Sequence, residues 1–200
     1  MLFLKEMPIE AKEKILYSGL FLFTNEGFKK TSVLDIVEMA RVSKTTFYQY
    51  FSSKEELMAE LLNLVASEIL EEVRRASEQE PRNAYKAYVG IRRYIEICFT
   101  DIKAANLMLV ESVGVSKEVE KVRNEAHRRF AQLIFQTVQG LLPETVSESD
   151  MCVVSQAMVG AINEVVVQNY NETSGQKVNF DEIARLLNRI VIGAFVNLAN

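Results

Sequence analysis

Histidine occurs once in this 200-residue chain, cysteine twice, proline three times and tryptophan not at all. A single imidazole, His127, leaves histidine-based metal sites and catalytic triads without raw material. The cysteines, Cys98 and Cys152, lie in IEICFT and DMCVVS, far apart and without the close spacing of a zinc or redox site, and read as core thiols. There is no glycine-rich phosphate loop, nucleophile elbow or metal-spaced ligand set, which argues against an enzyme of hydrolytic or nucleotide chemistry. The amino-terminal MLFLKEMP is too short for a signal peptide, and no stretch approaches the roughly 18 uninterrupted apolar residues of a spanning helix. A soluble cytoplasmic protein with no membrane role is expected. At this length a core needs no disulfide, metal or cofactor, and none is expected.

Positive charge is also scarce, since the net charge is −4, but it is unevenly placed. Residues 1–54 hold eight Lys/Arg against six Asp/Glu, whereas residues 55–200 hold fifteen against twenty-one. Any contact with a polyanion should fall in the first quarter of the chain.

With so few prolines and only eight glycines, and with apolar residues recurring at helical spacing, the chain is expected to be all-α. The first helix is expected from Pro8 through EAKEKILYSGLFLF to Asn25-Glu26-Gly27. A long helix opens at SSKEEL, where Ser53 and Glu56 have capping-box spacing, and ends before Pro81. Further helices are expected over NAYKAYVGIRRYIEICFTD, over KAANLMLVESV up to Gly114, from about 116 to 142 with Pro143 as its stop, and over about 148–170 and 180–199. Asn179 caps the last, and NETSGQK is the clearest loop.

Between the first and the long helix, SVLDIVEMARVSKTTFYQYF gathers six hydroxyl side chains around one lysine. Ser32 can cap VLDIVEMA, whose Val33, Ile36, Val37 and Ala40 share one side, and Ser43 can cap KTTFYQYF, whose Phe47, Tyr50 and Phe51 are spaced to face inward. Two short helices joined by so tight a turn match the helix-turn-helix, whose second helix enters the DNA major groove. Ser43, Thr45 and Thr46 in its first turn can hydrogen-bond phosphate or base edges, and Lys44 adds charge. Lys44 and Lys54 each sit in a first turn, where the helix dipole disfavours a cation unless a phosphate lies alongside.

The stretch TSVLDIVEMARVSKTTFYQYFSSKEEL resembles the DNA-binding signature of the TetR/AcrR family of bacterial transcriptional regulators, over about Ala11 to Leu61. The likeness lies in the TS-x-x-x-I start, the A-x-VSK turn, the TFYxYF helix and the S-K-E-E-L opening, with a fainter echo in GAINEVVV; Arg41 stands where the family usually has glycine. The resemblance implies a three-helix DNA-binding domain over 1–54 and a helical effector-binding and dimerisation domain over 55–200. It implies phosphate contacts from Thr31 or Ser32, Lys44, Tyr48, Tyr50 and Lys54, with Arg41 a possible addition, and base-edge contacts from Ser43, Thr45, Thr46 and Gln49. Gln49 is the adenine reader, because its amide can bond two edge atoms at once.

It further implies a homodimer on a palindromic operator, with repression released or imposed by a small effector. For the dimer, the last two helices are apolar on more sides than one core needs: Ala157, Gly160, Ala161, Gly193 and Ala194 permit close approach, and Val165, Val166, Ile190, Ile192 and Phe195 widen the surface. The effector lining is expected from Tyr88, Arg92, Ile95, Cys98, Phe99, Leu107, Met108, Glu111, Arg123, His127, Phe130, Met158 and Asn163, a set suited to a lipophilic ligand. Arg92 or Arg93, Arg123 and His127 are candidates to hold a carboxylate or phosphate, and ESVGVSKEVEKVRNEAHRRF loosely resembles family members that answer to acyl compounds. The alternative function is a helical small-molecule-binding protein that no longer binds DNA; Lys44, Tyr48, Tyr50 and Lys54 speak against it.

Overall fold

The computed structural model describes residues 6–142, 146–172 and 179–198. Among these the chain is helical, with no strand. Its α-helices are α1 Ala11–Asn25, α2 Val33–Ala40, α3 Lys44–Tyr50, α4 Lys54–Gln79, α5 Asn83–Thr100, α6 Ile102–Asn106, α7 Lys117–Gln139, α8 Glu148–Glu172 and α9 Phe180–Leu198.

The boundaries follow the capping chemistry. Ser32, Ser43 and Ser53 accept hydrogen bonds from the amides of Asp35, Thr46 and Glu56, and Asn179 accepts one from Glu182. The capping box expected at Ser53 is only half made, because the Glu56 carboxylate turns to the amide and hydroxyl of Ser52. α1 begins at Ala11 rather than Pro8: Glu10 is still extended, and Ile9 is exposed, so the first expected turn has nothing apolar to bury. The single helix expected over KAANLMLVESV is α6 followed by a π-helical turn, Leu107–Glu111, in which Ser112 N–H donates to Leu107 O at 3.1 Å. Pro143 lies outside the described residues, as does NETSGQK beyond Glu172.

The chain divides into two compact units, Met1–Glu68 with Asp101–Ala126, and Ile69–Thr100 with His127–Asn200. In the first, α1 packs on α2, α3, α6 and the π turn, around Ile15, Phe23, Ile36, Phe47 and Phe51. α1 also approaches α4 closely at Gly19, where a Cβ would stand 2.8 Å from Leu57 Cδ2. The boundary read at 54/55 therefore falls inside this unit, because the first turns of α4 belong to its core.

In the second unit α5 packs on α9 and α8, and α8 on α9. Its outer surface is unusually apolar: Val153 on α8 and Leu186, Ile190 and Val196 on α9 are exposed. Val166 and Phe195, expected at a dimer surface, are instead buried within the chain. Cys152 is exposed, not the core thiol expected, while Cys98 is buried. The span Glu148–Asn169 is long and apolar enough by composition to cross a membrane, although no run in it is uninterrupted; only 28% of the window is buried within the chain.

Candidate nucleic-acid interface and ligand cavity

The turn between α2 and α3 sets the interface. α2 buries Ile36, Val37 and Ala40 and is held at its start by a complete capping box: Ser32 N–H and Oγ–H both donate to Asp35 Oδ2 at 2.7 Å, and Asp35 N–H returns a bond to Ser32 Oγ. These bonds hold the Asp35 carboxyl below its ordinary range. The helix ends on Arg41, which takes the left-handed conformation, φ 53° and ψ 47°, at the position where the signature usually has glycine. Its amide and that of Val42 close on Glu38 O and Val37 O, so the turn survives the side chain and exposes it.

α3 is anchored by Phe47, fully buried, and by Phe51 just beyond its end, with ring centroids 5.8 Å apart. Tyr50, expected to face inward, is 43% exposed, because the 3.6-residue turn places Phe47 and Phe51 on the core side and carries residue 50 off it. Tyr48, Gln49, Lys44 and Thr45 are exposed as well. Ser43 and Thr46 are committed to the cap: Thr46 N–H donates to Ser43 Oγ at 3.0 Å, and the two hydroxyls lie 2.8 Å apart. The open tip is thus Arg41, Lys44, Thr45, Tyr48, Gln49 and Tyr50, two cations and four hydrogen-bonding groups, suited to phosphates and base edges.

Thr31 and Lys54 are placed differently from expectation. Thr31 is buried, and its hydroxyl donates to Gly27 O at 2.9 Å. Lys54 Nζ donates to Phe28 O and Thr31 O, both at 2.9 Å, and lies 4.2 Å from the centroid of the Phe28 ring. It ties the loop between α1 and α2 to the start of α4. Glu111, expected in the effector site, completes the same fastening: its carboxylate accepts Phe28 N–H at 2.9 Å beside Gly27, whose φ of +88° favours glycine. Asn106 donates to Thr24 O at 3.1 Å in the last turn of α1, just before that loop. The pattern of apolar residues carries no signal for these long-range bonds.

The cavity lies in the second unit and has a volume of about 60 Å³. Of the expected lining, Phe130 and Asn163 are present. On α5 the lining residues are Ala87, Gly90, Ile91 and Tyr94, whereas Tyr88, Arg92, Ile95 and Phe99 form the neighbouring stripe, about 100° around the helix. Arg92 pairs with Asp181 at 2.5 Å, Phe99 lies against Phe180, and Tyr88 faces Arg185. Ile95 and Cys98 are core, and Met158 is not in the lining. Leu107, Met108, Glu111 and Arg123 belong to the first unit, where Arg123 pairs with Glu120 at 3.0 Å. Arg93 pairs with Glu72 at 2.5 Å and with Glu96 at 3.3 Å.

Sequence reasoning missed Ser77, Tyr94 and Thr137 at the cavity. Tyr94 could have been found from the spacing 87, 90, 91, 94, which is one helical face. Its hydroxyl donates to Asn163 Oδ1 at 2.6 Å, its ring meets Phe130 edge-on at 5.6 Å, and burial pushes its pKa well above the ordinary phenol value. His127 is one step behind the wall, with Nε2 3.4 Å from Asn163 Nδ2.

The family model for bacterial regulatory proteins of the tetR family matches residues 15–61. The chain is 30% identical to the regulator YuxN of Bacillus subtilis over 113 residues, covering 52% of this chain but only 39% of that protein. It is 24% identical to the regulator QacR of Staphylococcus aureus over 186 residues, 89% of this chain and 93% of that one. Among solved structures, FadR of Bacillus subtilis in complex with stearoyl-CoA has the same fold, with a TM-score of 0.76 at 18% identity over 90% of this chain and 97% of its own. These relatives are transcriptional regulators, not enzymes. With α2 and α3 inside the matched segment, the helix-turn-helix of this chain is that of the tetR family of bacterial regulatory proteins.

Proposed function

We propose that the chain is a homodimeric repressor that reads a palindromic operator with α3 and changes its operator affinity when a small lipophilic effector enters the second unit. The observation that carries the DNA-binding half is the exposed tip of α3, where Lys44, Thr45, Tyr48, Gln49 and Tyr50 stand free of the core that Phe47 and Phe51 anchor. Lys44, Tyr48, Tyr50 and Arg41 take phosphates, whereas Ser32 has both its donors on Asp35; Thr45 and Gln49 face base edges, flanked by the capped Ser43 and Thr46.

The dimer is supported by the apolar face of α8 and α9. Val153 is 63% exposed and Leu186 58%, while Gly160 and Gly193 have open space above them, so a partner helix can come close. A dimer brings two recognition helices to half-sites one helical turn, or a multiple, apart.

The ligand response is supported by the cavity and by the precedent of FadR, the fold neighbour solved with stearoyl-CoA. At about 60 Å³ the cavity is below the ~300 Å³ of ordinary ligand pockets. A ligand must therefore spread its walls, to which α4 contributes Val73 and Ser77. Spreading acts on the helix whose other end carries Lys54, which is how occupancy reaches the DNA-binding helices.

Fluorescence anisotropy with DNA from upstream of the chain's own gene tests this. Specific binding is expected, with affinity falling steeply as salt rises, and Lys44→Ala should make that slope shallower by ~0.9. Absence of any salt-dependent DNA binding would remove the repressor reading. Ile190→Asp should convert the dimer to monomer in analytical ultracentrifugation, and a wild-type monomer at tens of micromolar would remove the dimer.

A further inference from the structure

Resting on that ligand-response reading, we infer that the cavity selects an uncharged apolar molecule carrying one hydroxyl or N–H donor, and excludes carboxylates, acyl-coenzyme A and organic cations alike. The first ground is the composition of the wall. Among the described residues it contains no Asp, Glu, Lys, Arg or His; apart from Ser77, Tyr94, Thr137 and Asn163 it is aliphatic and aromatic. An ion entering it would lose hydration without meeting a counter-charge, so it would bind poorly or neutralise.

The two arginines of α5 that could have reversed this are committed elsewhere. Arg92 is paired with Asp181 and Arg93 with Glu72 and Glu96, in each case on a carboxylate outside the lining. These bonds raise both arginine pKa values and lower those of Asp181 and Glu72, which marks the pairs as mutually satisfied. A carboxylate ligand would have to compete with these internal carboxylates for either arginine.

The second ground is the direction of the hydrogen bonds at the four polar groups. Ser77 Oγ–H donates to Lys86 O at 3.2 Å, Thr137 Oγ1–H to Leu133 O at 2.7 Å, and Tyr94 Oη–H to Asn163 Oδ1 at 2.6 Å. Each hydroxyl has one proton, already used within the protein, so what it retains for a ligand is a lone pair. Asn163 Oδ1 is engaged by Tyr94, and Nδ2, which carries two N–H groups, lies 3.4 Å from His127 Nε2. At its three hydroxyls the wall thus offers acceptors in an apolar surround, and their complement is a donor on a neutral body. A carboxylate or ester carbonyl brings only acceptors, and acceptor facing acceptor is repulsive.

A matched series of probes tests this on the full-length protein: 4-butylphenol, butylbenzene, 4-butylbenzoate and 4-butylbenzylammonium, which vary only at the polar end. Titrations at pH 7.5 are followed by isothermal calorimetry and by methyl NMR of Ile91, Ile134, Ile162 and Val191, which locates the bound molecule in the cavity. The phenol is expected to bind tightest, with the benzoate and the ammonium at least ~10-fold weaker, the penalty of an unpaired charge. Thr137→Val, which keeps the shape and removes the acceptor, should narrow the advantage of the phenol over butylbenzene. Ser77→Ala is the second such variant should Thr137→Val unfold. Saturable benzoate binding at these methyls, equal to or tighter than the phenol, overturns the selectivity while leaving a ligand-binding cavity. Failure of every probe to shift the methyls removes the cavity as a ligand site altogether.

Discussion

Replacing Lys54 with methionine separates the phosphate contact expected from the sequence from the fastening that the structure gives the same residue. The thioether keeps the length and apolar stem but removes the ammonium that donates to Phe28 O and Thr31 O and sits over the Phe28 ring. Two hydrogen bonds from a charged donor would be worth ~3–6 kcal/mol if fully buried. Lys54 is half-exposed, so water replaces part of that, and about 2–3 kcal/mol is the expected loss. For a chain of this size that corresponds to a fall in Tm of roughly 4–12 °C. Thermal unfolding by circular dichroism reads it, and anisotropy measures operator binding at temperatures where the variant is folded. Lys44→Ala is the contrasting case: an exposed residue, expected to move stability by less than ~0.5 kcal/mol yet to lose close to one unit of salt slope. If Lys54→Met melts like the wild type and loses that unit of slope, Lys54 grips phosphate and its bonds to Phe28 and Thr31 are incidental.

Gly19→Ala sets a Cβ 2.8 Å from Leu57 Cδ2 and 3.2 Å from Leu61 Cδ1 in a filled core. Overpacking of ~1–3 kcal/mol outweighs the ~1 kcal/mol of helix propensity gained, so chemical denaturation should register a loss of about 1 kcal/mol, and a gain would contradict the close approach of α1 and α4. Arg41→Gly relieves the left-handed strain of ~1–2 kcal/mol against an unfolded-state entropy of ~0.4–1 kcal/mol, so stability should rise slightly; a clear loss would place the turn in another conformation. Glu72→Gln bears on acid stability. The hydrogen bond from Arg93 holds the folded-state pKa of Glu72 below its ordinary 4.5, so its contribution is present above that value and is lost as pH falls through the depressed one. The variant should be less stable at pH 7 and should lose less on acidification from pH 4.5; parallel stability curves would show that the pair contributes nothing.

The helices and their caps were legible because their determinants are local. Ser32, Ser43 and Asn179 cap where their spacing to the next apolar run places them, and Phe47 and Phe51 lie inside as a four-residue step requires. The left-handed Arg41 accords with the resemblance, in which it stands where the family usually has glycine. Sequence and structure part where a residue's partner is remote in sequence. Lys54 looked like a phosphate ligand from its first-turn position, and only the loop 26 residues earlier reveals its carbonyl partners. Glu111 looked like an effector group, yet it accepts an amide 83 positions away. No periodicity encodes such bonds, which depend on how α1, α4 and the π turn come together.

The cavity extends the same argument to ligand charge. Arg92, Arg93, Arg123 and His127, read along the helices, suggest a basic site for a carboxylate or phosphate. Read through their partners, the arginines are spent on Asp181, Glu72 with Glu96, and Glu120, and His127 stands behind Asn163. Counting cations near an expected pocket therefore overstates the charge that its wall presents. What reaches the ligand is the charge remaining after internal pairing, together with the lone pairs that helical back-bonding leaves exposed. An error of one residue in choosing the α5 stripe, about 100° of rotation, is enough to exchange Tyr94 for Arg92 and Ile95 in the expected wall, and with it a neutral site for an anionic one. Ligand class in a helical cavity is consequently set by rotation about the helix axis, which apolar spacing constrains only to within one neighbouring stripe.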